Sequence, residues 1–160
     1  MLKNIFKRGG KLMMAAAMAS VVALPLMGSE AEAARGNTQG VFQNALSGAD
    51  IPYTIDDNNN IHLELGEVTI YVVINNAENV VRVWGWIPTN LPRSRWSNAY
   101  AICNELNTNR SEKFWLDSDG DIRCQWAFDT DDIAISPAVA IAAVSRVYGN
   151  LNEVKKLFSN

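Results

Sequence analysis

From Ile51 to Phe128 the chain is dominated by a two-residue alternation of apolar and polar positions. Ile51, Tyr53 and Ile55 alternate with polar neighbours, an Asp-Asn cluster follows, and Ile61, Leu63 and Leu65 alternate again, which predicts a β-hairpin with an Asp/Asn turn. Residues 68–74 are apolar or β-branched, "NAEN" turns the chain, and 80–87 run back to Pro88, which cannot continue a strand. A third alternating pair runs through Phe114 and Leu116, then Ile122, Cys124, Trp126 and Phe128.

Three stretches change period. Val41, Phe42 and Ala45 share one helical face, with Gly48 near the stop. Trp96, Ala99, Tyr100, Cys103 and Leu106 recur at three and four, which predicts an amphipathic helix with Ser94 as its N-cap. "SPAVAIAAVSRVYGN" offers Ser136 as cap, Pro137 in the first turn and Gly149 as a stop, with a last short helix in "LNEVKKLFSN". The predicted order is α-β-β-β-β-α-β-β-α: an α+β domain with an antiparallel sheet flanked by helices.

The first 33 residues read differently. Lys3, Lys7, Arg8 and Lys11 precede the apolar run "LMMAAAMASVVALPLMG", and Ala31 and Ala33 supply the small-x-small pattern of a cleavage site. This is the layout of a secretory signal peptide, cut after Ala33 or, as the next choice, Ala34. The alternative is a membrane anchor, but Pro25 and Gly28 break a run of about 17 residues. The expectation is a single domain over 34–160 in the periplasm or outside the cell, without stable membrane insertion after cleavage. From Ala34 onward there are ten basic and fifteen acidic residues, a net charge of −5. With no basic stripe among aromatics, that balance disfavours nucleic acid as a partner.

Candidate chemistry is sparse. "KFWLDSDGDIRCQW" places Asp117, Asp119 and Asp121 around Gly120. An EF-hand calcium loop needs glycine at its sixth position and glutamate at its twelfth. Counted from Asp117 those positions are Ile122 and Phe128, and counted back from Gly120 the first is Trp115. Asp-Gly between alternating runs predicts a hairpin turn instead. A second acidic group, Asp129, Asp131 and Asp132, lies at the far end of the strand, about 25 Å away. It is the carboxylate set that a hydrolase or a small-ligand site would use. His62, the chain's one histidine, has solvent-facing parity. No nucleophile elbow, phosphate loop or metal-spaced His/Cys cluster occurs, so the sequence points to no catalytic residue, metal or cofactor.

Cys103 and Cys124 both have core-facing parity, and an exported protein meets an oxidising compartment, so a disulfide between them is expected, the alternative being two free buried thiols that pack as small hydrophobes. Closing a loop of about twenty residues would stabilise by roughly 3 kcal/mol. Arg82, Trp84 and Trp86 share the parity opposite to Val81, Val83 and Ile87, and Trp115 is opposite to Phe114 and Leu116. If the valine side is core, these tryptophans form a binding patch with Arg82, for a protein partner or a second copy of the chain. The alternative is that another element, such as the first helix, covers them.

The segments "IPYTIDDNNNIHLELGEVTIYVVI", "AYAICNELNTNRSEKFWLDSDGDIRCQWAFD" and "ISPAVAIAAVSRVYG" together resemble the YbjN family, small bacterial proteins described as sensory transduction regulators. The resemblance spans about residues 37–158. It implies a fold like that of type III secretion chaperones, a protein partner, frequent dimerisation and no catalytic residues to carry over. Members are often cytoplasmic, so the leader of this chain is a departure.

Overall fold

The computed structural model describes residues 37–158; the leader read from the sequence lies outside them. Helix α1 (Thr38–Gly48) is capped by Asn37, whose Oδ1 accepts from Gly40 N at 3.0 Å. Strands β1 (Thr54–Ile55), β2 (Ile61–Leu65), β3 (Val68–Asn75) and β4 (Val80–Ile87) follow. Next come a 3₁₀ turn at Arg93–Arg95, helix α2 (Trp96–Asn109), strands β5 (Lys113–Leu116) and β6 (Ile122–Asp129), and helix α3 (Pro137–Phe158). The order is the expected one.

The six strands form one antiparallel sheet in the order β1-β2-β3-β4-β6-β5. Strand alternation does the sorting. Ile61, Leu63, Leu65, Val68, Ile70, Val72, Val81, Val83, Ile87, Phe114, Leu116, Ile122, Cys124 and Phe128 are all buried on one face. The helices cover that face: α3 lies across β3, β4 and β6, α1 packs against α3, and α2 packs against β5. Gly85 sits on this inner face, where a Cβ would meet the Thr69 carbonyl oxygen at 2.3 Å, so any side chain would force β3 and β4 apart.

Three local expectations need correction. Gly149 does not end a helix: α3 runs for 22 residues through it. Val144, Val147, Leu151, Val154 and Phe158 keep the three-four spacing across the glycine and are all buried, which outweighs a helix cost of about 1 kcal/mol for one glycine. Ser94 is not an N-cap, because the 3₁₀ turn led by Pro92 absorbs it and α2 starts at Trp96 without a side-chain cap. The first strand is only two residues long, with Ile55 41% exposed, since Pro52 has no N–H with which to extend the ladder. Ser136 does cap α3, its Oγ accepting from Val139 N at 3.3 Å.

Candidate docking surface

Cross-strand register builds the outer face row by row. One row reads His62, Tyr71, Trp84, Gln125 and Lys113; the next reads Glu64, Thr69, Trp86, Arg123 and Trp115. Neighbouring centroids are 4.6 Å apart for His62–Tyr71 and 5.1 Å for Tyr71–Trp84, close to the spacing between strands. Their planes lie 18° and 15° apart. The rings therefore stand upright, side by side, like slices on a rack. Trp86 joins at 5.9 Å from both Tyr71 and Trp84. Each such pair contributes about 0.5–1.5 kcal/mol beyond area burial.

A cation closes the stack. The Arg123 guanidinium carbon is 5.6 Å from the Trp84 ring centre and 5.3 Å from that of Trp86. Its Nε donates to Asp117 Oδ2 at 2.7 Å. The cation is thus held from two sides, by indole faces and by a carboxylate.

That carboxylate belongs to the aspartate turn, which the structure shows to be a β5–β6 hairpin turn. Asp117 Oδ1 accepts from the amides of Asp119 and Asp121, both at 2.9 Å. Partial burial pushes the Asp117 carboxyl up, but those amides and Arg123 outweigh it and hold the group below the ordinary carboxylate range. Asp121 reaches elsewhere: its Oδ1 accepts from Thr89 N at 2.9 Å and Asn90 N at 3.0 Å. Gly120, at φ +84°, lies so close to Leu91 that a Cβ would meet that residue's carbonyl oxygen at 2.5 Å. The turn therefore fastens the loop after β4 and positions Arg123. Among the described residues, no group of three or more His, Cys, Asp or Glu is arranged to hold a metal ion.

The predicted binding residues are thus partly united. Trp84 and Trp86 are stacked neighbours, and Trp115, 36% exposed, is the cross-strand partner of Arg123. Arg82 lies one row beyond Trp84 and is paired with Glu78 at 3.2 Å. The helix that could have covered this face, α1, packs instead against α3; Trp84 and Trp86 are half-buried and Trp115 is exposed. Sequence reasoning missed Tyr71 and Arg123 and placed His62 here only as an ordinary surface residue. Arg123 was readable from its parity against Ile122 and Cys124; Tyr71 was hidden in a continuous apolar run.

The other candidates fall elsewhere. Asp129 Oδ1 accepts from Asp131 N at 2.8 Å, and Asp131 Oδ2 accepts from Asn79 Nδ2 at 3.0 Å, so these acids shape the end of β6. Cys103 and Cys124 are both buried, as expected, but they are free thiols and the expected bridge is not formed. They sit on separate supports, Cys103 on α2, which packs over β5, and Cys124 on β6 beside its cross-strand partner Phe114. Burial raises both thiols, Cys124 to about 12.

No known family's sequence profile matches the chain, and no curated protein matches it. Solved structures do. A chain of the ExsC–ExsE complex superposes with a TM-score of 0.61 at 8% identity, over 78% of this chain and 95% of that one. A chain of the HopA1–SchA chaperone–effector complex gives 0.54 at 11% identity, over 84% and 98%. YbjN from E. coli gives 0.51 at 10% identity, over 75% and 87%. The fold is therefore the one the YbjN resemblance implied, an α+β sheet-and-helix fold shared with a chaperone–effector assembly and with YbjN.

Proposed function

We propose that this chain is an exported, non-catalytic module of the bacterial envelope that holds a polypeptide on the outer face of its sheet, in the manner of a chaperone. The observation carrying this reading is the partly exposed aromatic face of Tyr71, Trp84, Trp86 and Trp115, on the side of the sheet opposite to the core that the helices pack against. Two of the similar folds come from complexes, one of them a chaperone–effector complex, which supports a polypeptide as the ligand class.

The geometry narrows the ligand further. The ring faces of Tyr71, Trp84 and Trp86 are taken by one another, by His62 and by Arg123. A sugar ring or quaternary ammonium group needs a free aromatic face. Upright rings instead offer their edges, with indole N–H and phenol O–H donors, which suit the carbonyls and side chains of an extended segment. The leader read from the sequence supports the envelope as the place of work.

The test is binding of reduced, carboxyamidomethylated ribonuclease A, a permanently unfolded chain, by calorimetry. The mature protein should bind it, and Trp84→Ala/Trp86→Ala should lower affinity at least roughly thirtyfold, as loss of aromatic anchors does. Equal binding by the double variant would remove this face from the account. Light scattering on the same two proteins shows whether a second copy competes for the face.

A further inference from the structure

The aspartate turn and the aromatic face meet at a single side chain, Arg123. We propose that Asp117 and Arg123 are positioning residues for the docking face: the turn carboxylate fixes the guanidinium, and the guanidinium fixes Trp84 and Trp86 in the upright geometry that receives an extended polypeptide segment. The inference rests on the docking reading above and adds a part to it that lies outside the tryptophans.

Trp84 and Trp86 are neighbours on β4 at i and i+2, both half-buried, and each indole is free to turn about two side-chain bonds unless something packs on its face. Tyr71 packs on both from the β3 side. From the β6 side the contact seen is the Arg123 guanidinium, at 5.6 and 5.3 Å. A planar cation over two indoles is a good lateral stop, but a free arginine would also swing into solvent. The Asp117 bond at 2.7 Å prevents that, and Asp117 is itself immobilised by two amides of its own turn. The Asp117 carboxylate is engaged by its turn and by Arg123, so its effect on the indoles passes through Arg123. The charge is also cancelled locally, which leaves the face suited to an apolar or aromatic segment rather than to an acidic one.

The test compares Asp117→Asn, Arg123→Met, Arg123→Lys and Trp84→Ala/Trp86→Ala in the full mature chain, with reduced, carboxyamidomethylated ribonuclease A as the probe. Asp117→Asn keeps a side-chain oxygen for the two turn amides while removing the charge, so that variant retains the turn if Arg123→Met should fail to fold. Two readouts are taken: affinity, and the far-ultraviolet circular-dichroism exciton signal of the Trp84–Trp86 pair in the free protein. Asp117→Asn and Arg123→Met should lower affinity roughly three- to tenfold and weaken the exciton signal, with Arg123→Lys recovering only part of either. Normal affinity and an unchanged exciton signal in both Asp117→Asn and Arg123→Met overturn the positioning role. A probe that the parent protein does not bind, or that the double tryptophan variant binds normally, overturns the docking reading instead, and the exciton signal then still decides whether Arg123 orders the indoles.

Discussion

Asn107 closes the outer edge of the sheet at Phe114. Its Oδ1 accepts from Phe114 N at 2.6 Å and its Nδ2 donates to Phe114 O at 2.9 Å, so one side-chain amide stands in for the missing neighbour strand. An open edge is a template for pairing with another chain. Here the open β5 position at Phe114 is satisfied from α2. Asn107→Leu should destabilise the fold by about 1–3 kcal/mol, since two backbone groups lose their partner, and should raise the tendency to aggregate on heating. Denaturant melts and turbidity check this; an unchanged midpoint would mean that water replaces the amide at no cost.

Gly149 lies in the middle of α3, exposed, with nothing within 4 Å of the position a Cβ would take. Gly149→Ala should therefore stabilise by about 0.5–1 kcal/mol through helix propensity. Destabilisation in a thermal melt would show that the chain breaks at this residue, as the sequence alone suggests.

The two thiols should be silent in the native state. With Cys124 raised to about 12 and Cys103 raised by burial, little thiolate exists near neutral pH, and both sulfurs are shielded. Alkylation should be slow in buffer and should reach two thiols per chain on unfolding without reductant. Zero thiols under the same conditions would establish a bridge.

Acid should loosen the aspartate turn. Asp117 has a lowered folded pKa, so its contribution is complete above the ordinary carboxylate value of about 3.9 and is lost as pH falls through that value toward the folded one. The stability gap between the parent protein and Asp117→Asn should be constant near neutral pH and close below about pH 4. A gap independent of pH would assign the effect of the substitution to packing.

Legibility followed locality. The strands β2, β4 and β6 are plain because period-two alternation is written within each segment, β3 because its run is apolar or β-branched throughout, and Ser136-Pro137 marks the start of α3 because a cap and its helix are adjacent in sequence. Gly149 misled because a glycine's usual role at helix ends was weighed without the buried stripe that continues past it. Pairing of β4 with β6 joins strands separated by a whole helix and a strand, and no local pattern carries it. The same holds for the site. Trp84, Trp86 and Trp115 show their shared outward parity in the sequence, whereas the stack with Tyr71 and the contact with Arg123 depend on register across β3, β4 and β6. That the turn aspartates make a hairpin turn was readable from Asp-Gly between alternating runs; that one of them holds Arg123 was not.

The most direct measurement of the central claim is fluorine NMR of protein labelled with fluorotryptophan, titrated with the unfolded ribonuclease chain. The five tryptophans divide between the two sides of the sheet: Trp84, Trp86 and Trp115 lie outside, while Trp96 and Trp126 pack against the core. Polypeptide held on the outer face should shift or broaden the first three signals and leave the other two in place. Movement of Trp96 or Trp126 with Trp84 and Trp86 unchanged would contradict it, and the partner would then belong on the helical side.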